Sequence, residues 1–210
     1  MKAPDLSIVI PTYNEVENVE ALHKELLAVL KKFGRSYEIL FVDDGSTDGT
    51  REKLEKLADS NTHIIFFRRN FGQTAALDAG FKHCKGNIII PMDADMQNDP
   101  ADIPALVAEI EKGFDLVQGW RWQRKDPLSK RVFSKFSNWL RKRLTGEKVH
   151  DSGCTLRAIR GPLLLQLCLL GIIPGIGHGN YCLKHTDSGD FSRREMIASR
   201  KLHSWNKCSY

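Results

Sequence analysis

The sequence predicts a single α/β domain in which a mostly parallel sheet is flanked by helices. Short apolar segments alternate with amphipathic segments through the first 120 residues, and strands that alternate with helices form parallel sheets covered on both faces. Polar and acidic residues directly follow several of the apolar segments. Sheets of this kind bind ligands at the carboxyl ends of their strands, so we expect the functional residues there.

The spacing of apolar and turn residues predicts the individual elements. Five strands are predicted as short apolar runs, at residues 6–10, 37–42, 63–67, 87–91 and 114–117. Four helices are predicted from apolar positions three and four residues apart, at 16–33, 48–58, 73–84 and 103–112. Asn14 is the predicted N-cap of the first helix, and Gly34 is predicted to follow its last turn.

Composition indicates an ordinary globular protein, with 41% hydrophobic and 27% charged residues among 210. No apolar run approaches the roughly 20 residues that a membrane-spanning helix needs, and the N-terminus lacks the pattern of a signal peptide. The five cysteines are scattered without a CxxC pair, which is typical of reduced thiols in the cytosol. We therefore expect a cytoplasmic protein.

The two parts of the sequence carry opposite charge. Residues 1–120 contain 13 Lys and Arg against 20 Asp and Glu, whereas residues 121–210 contain 18 against 6. The acidic part suits a metal cation, and the basic part is expected to bind anionic partners. Nucleic acid is not expected as a partner, because an acidic edge that binds a cation has no role in nucleic-acid binding.

A pair of aspartates, Asp93 and Asp95, follows the fourth predicted strand. Alternate residues leave a strand in the same direction, so both carboxylates are expected to face one cavity. Adjacent carboxylates repel each other unless a cation lies between them, and oxygen ligands suit Mg²⁺ or Mn²⁺. The pair predicts a divalent-cation site; the alternative is a solvated loop, or Asp95 as the cap of the next helix.

Two more polar clusters are expected at the same edge. Residues 11–15 follow the first strand and offer an aromatic ring and a carboxylate, which suit a base and a ribose. Asp43 and Asp44 follow the second strand and can accept hydrogen bonds from base N–H groups or ribose hydroxyls. The alternative is that residues 44–46 serve only as a turn and helix cap. The sequence has neither GxGxxG nor GxxxxGK[ST], which excludes dehydrogenase-type and ATPase-type phosphate loops.

Five short strings occur in register along roughly the first 160 residues. They are PTYNE at 11–15, VDDGS at 42–46, NFGQ at 70–73, DADMQ at 93–97 and DSGCTLR at 151–157. Together they resemble glycosyltransferase family 2, and within it the branch of dolichol-phosphate mannosyltransferases and polyprenyl-phosphate glycosyltransferases. The resemblance implies a GT-A fold, a nucleotide-diphosphate-sugar donor and inversion at the anomeric carbon.

The resemblance also implies roles for individual residues. Nucleotide binding is assigned to Pro11, Tyr13, Glu15, Asp43, Asp44, Asn70 and Gly72. The cation, Mg²⁺ or Mn²⁺, is assigned to Asp93, Asp95 and Gln97. Catalysis is assigned to Asp93, Asp95, Arg121, Arg131 and Asp151. The acceptor is assigned to Arg131, Ser152 and Arg157.

The implied reaction transfers a sugar from a nucleotide-diphosphate sugar to a polyprenyl phosphate, dolichyl or undecaprenyl. A phosphate monoester has a second pKa of about 6, so it is largely ionised at pH 7 and needs no strong general base. Arg121 and Arg131 would position it, because arginine pairs well with phosphate. A glycan hydroxyl is the alternative acceptor, and it would need a base, for which Asp151 is the first candidate.

Residues 128–145 predict a basic amphipathic helix. Leu128, Phe136 and Trp139 share one helical face, and residues 121–143 contain nine Lys or Arg. The pattern is typical of a helix resting on anionic lipid, although a domain helix packed on the sheet is the alternative. We therefore expect a peripheral location at an anionic membrane surface, and we keep a separate membrane subunit as a candidate partner.

Residues 161–210 depart from the family pattern and are predicted only as an atypical tail that follows the transferase domain at 1–160. The segment has an apolar run, a glycine-rich turn and a polar, basic end with weak periodicity. A divergent end, a truncated form and a shifted reading frame are the three hypotheses for it. Because the last two would impair acceptor binding, a non-catalytic nucleotide-binding homologue is a further functional alternative.

Overall fold

A computed structural model describes residues 3–120, 156–169 and 200–201 of the chain. The strands are β1 (Leu6–Thr12), β2 (Tyr37–Asp43), β3 (Thr62–Phe66), β4 (Ile88–Pro91), β5 (Leu116–Trp120), β6 (Arg157–Arg160) and β7 (Arg200–Lys201). The helices are α1 (Val19–Phe33), α2 (Thr50–Leu57), α3 (Gln73–His83), α4 (Ile103–Glu111) and α5 (Gly161–Leu169), and a 3-10 turn at Pro100–Asp102 precedes α4.

The strands form one mixed sheet in the order β3-β2-β1-β4-β6-β5-β7. β3, β2, β1 and β4 run parallel, and β6 runs antiparallel between β4 and β5. The chain moves outward from β1 to β3 and then returns to place β4 on the other side of β1. This reversal opens a crevice between the carboxyl ends of β1 and β4, which is where open α/β sheets bind ligands.

Helices cover both faces of the sheet, as the alternation of elements predicts. One apolar cluster joins α1, α2 and α4 to the sheet and contains Ile8 and Ile10. The second joins α3 and α5 to the opposite face and contains Val9. The side chains of successive strand residues point to opposite faces, so β1 contributes to both clusters. Burial of each large aliphatic side chain contributes about 1.5–3 kcal/mol relative to exposure. The predicted α/β fold is confirmed.

The predicted start of the first helix is wrong. α1 begins at Val19 with Asn18 as its N-cap, three residues later than the predicted start at 16. Asn14, the predicted cap, has a left-handed φ of 55°, and its side-chain carbonyl accepts a hydrogen bond from the N–H of Thr47 at 2.9 Å. The side chain of Asn14 therefore joins two loops and does not cap the helix.

The segment 161–169 is a helix that packs on the sheet. Leu163 and Leu164 of α5 are buried in the same cluster as Ile159 of β6 and Ile89 of β4. The sequence analysis left this segment in a tail of uncertain structure, because the sequence departs from the family pattern there. In the described part of the chain, every helix is too short or too polar to cross a bilayer.

His23 is a buried histidine on α1, and its Nε2 lies 3.0 Å from the hydroxyl of Thr62 at the start of β3. Burial lowers the pKa of His23 below its usual value of 6.5; Asp59 opposes this shift and Lys31 adds to it. The folded chain therefore favours the neutral imidazole.

This lowered pKa makes stability depend on pH in a defined window. The unfolded chain binds a proton at His23 more readily than the folded chain, so the full contribution is present above about pH 6.5 and is lost as the pH falls below it. We expect His23→Gln to flatten this part of the profile in urea unfolding measured between about pH 5 and pH 7.5. The control is His63→Gln, which removes an exposed histidine and keeps His23, and it should retain the loss of stability below about pH 6.5. Identical profiles for wild type and His23→Gln would contradict the prediction.

Candidate functional site

The candidate site lies at the carboxyl edge of the sheet, where β1, β2 and β4 end. Residues 13–18 follow β1, residues 44–49 follow β2, and residues 92–99 follow β4. A fourth loop, residues 67–72, leads from β3 into α3. Since β1 lies between β2 and β4, these loops are neighbours at one edge.

The loop after β1 is tied by hydrogen bonds to side chains of the loop after β2 and of the first residue of α2. The N–H of Asn14 donates to the hydroxyl of Ser46, and the N–H of Glu15 donates to the hydroxyl of Thr50, each at 2.9 Å. Tyr13 precedes these contacts and is 46% exposed. The loop therefore holds its backbone against the neighbouring loop while it presents an aromatic ring at the site.

Asp43 ends β2 with a fully buried side chain. Its Oδ2 lies 3.4 Å from Nη1 of Arg51 in α2, and the same Nη1 donates to the carbonyl of Phe67 at 2.9 Å. The guanidinium also lies over the ring of Phe66, 4.7 Å from its centroid. A buried carboxylate needs a partner of this kind to offset the cost of leaving water, so Arg51 fixes Asp43 beneath the site.

Asp44 holds the loop that leads into α3. Its Oδ1 accepts from the N–H of Phe71 at 2.7 Å, and its Oδ2 accepts from the N–H of Gly72 at 2.8 Å. Gly72 has φ 94° and ψ 155°, a backbone conformation that is essentially restricted to glycine. Asn70, predicted to bind nucleotide, lies exposed in the same loop. Asp44 therefore organises the edge of the site through these two backbone groups.

The predicted cation ligands lie on a turn beyond β4. The strand ends at Pro91, as predicted, and Asp93 and Asp95 lie in the turn that follows it. Both side chains are half-buried. Oδ1 of Asp93 accepts from the side-chain amide of Gln73 at 2.9 Å, and Oδ1 of Asp95 accepts from the N–H of Gln97 at 3.0 Å.

The chemistry of this turn fits a hard divalent cation. Among residues 3–120, 156–169 and 200–201, no cluster of three or more His, Cys, Asp or Glu could hold a metal ion. Mg²⁺ and Mn²⁺ sites often use only one or two carboxylates and take their other ligands from water and substrate phosphates. The oxygen donors of Asp93 and Asp95 match that pattern, whereas a site built wholly from protein ligands does not.

Arg157 begins β6 and is buried. β6 runs antiparallel to β4, so its first residue lies towards the carboxyl edge, opposite Gln118 of β5. Pro11 is buried within β1, opposite Val42 of β2.

Part of the predicted site lies outside the described residues. This part comprises the predicted basic helix at 128–145 and the predicted site residues Arg121, Arg131, Asp151 and Ser152.

Two side chains of this edge were not assigned from the sequence. Arg51 contacts Asp43, and Gln73 contacts Asp93. Gln73 closes the string NFGQ, which was a signal that the position belonged to the site. Arg51 lies in an ordinary charged helix, and no local pattern marks it.

The family model described as glycosyl transferase family 2 matches residues 7–166. The chain belongs to this family. It is 44% identical over 162 residues to the undecaprenyl-phosphate 4-deoxy-4-formamido-L-arabinose transferases of Salmonella paratyphi A and Salmonella dublin, covering 76% of this chain and 50% of each relative. The chain thus spans about half the length of these relatives.

Solved structures of more distant proteins share the fold. Glucosyl-3-phosphoglycerate synthase from Mycobacterium tuberculosis, in complex with Mn²⁺, UDP and glucosyl-3-phosphoglycerate, superposes with a TM-score of 0.62 at 21% identity, over 77% of this chain and 58% of that one. TarS 1-349 of S. aureus gives a TM-score of 0.55 at 22% identity, over 77% of this chain and 48% of that one. With the family match, these likenesses identify the fold as GT-A.

Gly45 allows the loop after β2 to approach the loop before α3. It has φ 75°, and a Cβ at this position would lie 2.4 Å from the carbonyl carbon of Arg69. Gly34 has φ 72°, but a Cβ there would meet nothing within 4 Å. The two glycines therefore share the same backbone strain and differ in steric contact.

We expect Gly45→Ala to destabilise the fold by more than Gly34→Ala. The strain of a left-handed alanine costs about 1–2 kcal/mol at either position, whereas only Gly45→Ala must also separate two backbones. Urea unfolding of both variants measures the difference. Equal losses of unfolding free energy would show that the loops are not in the close contact described.

Proposed function

We propose that this chain is an inverting glycosyltransferase that transfers a sugar from a nucleotide-diphosphate sugar to a polyprenyl phosphate. The observation that supports the proposal is that Tyr13, Asp43, Asp93 and Asp95 lie at or just beyond the carboxyl ends of the neighbouring strands β1, β2 and β4. This edge of the sheet combines an aromatic ring and a hydrogen-bond acceptor with a pair of carboxylates, the groups that a nucleotide diphosphate and its cation require. The naming of the 44%-identical relatives as undecaprenyl-phosphate transferases supports the acceptor.

The donor is assigned to the loops after β1 and β2. The exposed ring of Tyr13 is suited to stack on a base, and Asp43 supplies a hydrogen-bond acceptor held in place by Arg51. The proposed nucleotide set also includes Pro11, Glu15, Asp44, Asn70 and Gly72. UDP is the first nucleotide to test, because a protein of the same fold is described in complex with UDP.

Asp93 and Asp95, together with Gln97, would hold Mg²⁺ or Mn²⁺. A bound cation of this kind neutralises the charge that develops on a diphosphate leaving group. The carboxylates hold their positions through the turn after β4, in which the N–H of Gln97 donates to Asp95. The complex of Mn²⁺ with UDP in the structural neighbour supports Mn²⁺ as the first cation to test.

The acceptor is proposed to approach from the side of β6. Arg157 lies at the end of that strand nearest the carboxyl edge, and arginine is well suited to an anionic phosphate. Arg131 and Ser152 are proposed to bind the same acceptor, and Arg121 and Asp151 are retained in the proposed catalytic set. An ionised phosphate nucleophile needs no strong base. The proposed location is peripheral, at the cytoplasmic surface of an anionic membrane, with a separate membrane subunit as a candidate partner.

Calorimetric titration with UDP tests the donor site. We expect wild type to bind UDP more tightly with Mn²⁺ than with EDTA, and we expect Asp95→Asn to weaken the Mn²⁺-dependent binding at least about tenfold, because a proposed ligand charge is lost. The control is Asp99→Asn, which makes the same chemical change in a neighbouring residue. Oδ1 of Asp99 accepts a hydrogen bond from the N–H of Ala101 in the 3-10 turn, and an asparagine oxygen can still accept it. Unchanged affinity in Asp95→Asn would contradict the cation assignment. The same titration with GDP identifies the preferred nucleotide.

Transfer assays separate the acceptors. The purified chain is incubated with a labelled nucleotide sugar, Mn²⁺ and either undecaprenyl phosphate in detergent or a soluble glycan. Transfer that requires undecaprenyl phosphate supports the proposal. Transfer to the glycan alone would replace the lipid acceptor with a hydroxyl, and nucleotide binding without any transfer would mean that the chain is a non-catalytic homologue.

A further inference from the structure

We infer that Gln73 is a positioning residue that fixes the carboxylate of Asp93 for cation binding and links it to the loop held by Asp44. The inference rests on the proposed function, because it concerns the proposed cation site. It adds a residue outside the predicted set of ligands. Its evidence is a set of three contacts between the end of β2 and the turn after β4: hydrogen bonds to Asp44, the packing of α3 on the sheet, and the hydrogen bond from Gln73 to Asp93.

The first link fixes the backbone that leads into Gln73. Phe71 and Gly72 are the two residues before Gln73. Their N–H groups donate hydrogen bonds to the two carboxylate oxygens of the buried Asp44, at 2.7 and 2.8 Å. The carbonyl of Gly72 then accepts from the N–H of Ala75 at 3.0 Å as α3 begins. Gln73, the first residue of the helix, therefore has fixed backbone on both sides.

The second link fixes α3 against the sheet. A Cβ at Gly80 would lie 2.3 Å from Cγ1 of Val9 in β1, so the helix backbone approaches the strand as closely as a glycine permits. Leu77 and Phe81, on either side of Gly80, are buried in the same cluster as Val9. The helix cannot shift along or away from the sheet without disrupting this close packing.

The third link is the side-chain contact itself. Nε2 of Gln73 lies 2.9 Å from Oδ1 of Asp93. An ionised carboxylate only accepts hydrogen bonds, so the amide must present its NH₂ group to Asp93. A bond to a charged acceptor is stronger than a neutral one, and it restrains rotation of the carboxylate. A carboxylate has about four lone-pair sites, so this bond is compatible with a cation on the same group.

Residues 71–73 thus connect the nucleotide side of the crevice to the cation side. Asp44 belongs to the loop after β2, and Asp93 belongs to the turn after β4. Partners that orient a metal ligand in this way commonly contribute about 10–100-fold to metal affinity or activity. Gln73 is expected to contribute in that range to the affinity for Mn²⁺.

The test uses the full 210-residue chain and Gln73→Met, which keeps the length of the side chain and removes the donor. Free Mn²⁺ is measured by electron paramagnetic resonance while Mn²⁺ is titrated in the presence of UDP. We expect Mn²⁺ affinity to fall about tenfold, while UDP affinity in EDTA and the urea unfolding midpoint stay unchanged. Thr74→Ala, an exposed neighbour on the same helix, is the matched control and should bind Mn²⁺ as wild type does. Gln73→Ala repeats the test with a second side chain.

Each outcome has a distinct meaning. Wild-type Mn²⁺ affinity in both Gln73 variants would overturn this inference and leave the proposed function standing. An equal loss of UDP affinity in EDTA would also overturn it, because the residue would then support the site in general and not the cation ligand. If wild type itself shows no Mn²⁺-dependent UDP binding, the proposed function fails and this inference fails with it.

Discussion

The backbone of β1 positions both halves of the candidate site. As the strand between β2 and β4, it is paired on both edges, and its carbonyl groups continue to bind the chain after those neighbours end. The carbonyl of Thr12 accepts from the N–H of Asp44 at 2.8 Å, and the carbonyl of Val9 accepts from the N–H of Met92 at 3.0 Å. One buried strand thus determines where the loop after β2 and the turn after β4 begin, and so it places both at one edge of the sheet.

Polar side chains complete this arrangement by binding backbone groups of neighbouring loops. Burial alone would raise the pKa of Asp48, but hydrogen bonds from Thr50 and from the N–H of Val16 lower it below its usual value. The charged carboxylate is therefore the form that joins the loop after β1 to α2 at neutral pH. Asn14, Ser46 and Asp44 act in the same way, each joining two loops. Such contacts replace the ladder hydrogen bonds that end with the strands.

The sequence predicts the elements well because their signals are local. Apolar spacing located β1, β2, β3, β4 and β5, whereas the two-residue β7 was not predicted. Gly34 ends α1 as expected, with φ 72° and its N–H on the carbonyl of Leu30. The errors arise where a contact with a residue distant in the sequence determines the local structure. Asn14 was placed at a helix start because its partner Thr47 lies in another loop, and the contact of Gln73 with Asp93 spans 20 residues. β6 was missed because it is only four residues long and has an arginine at each end.

Electrostatics explains why a site rich in carboxylates can serve an anionic donor. The charge of Asp43 is compensated by Arg51, and the charge of Asp44 by two N–H groups. A diphosphate brought beside Asp93 and Asp95 would meet like charge, which costs free energy at short range even at the high effective dielectric constant of a protein surface. A divalent cation reverses the sign of that interaction. In the proposed function the cation therefore strengthens donor binding, and side chains that hold Asp93 in place affect affinity for the donor through their effect on the cation.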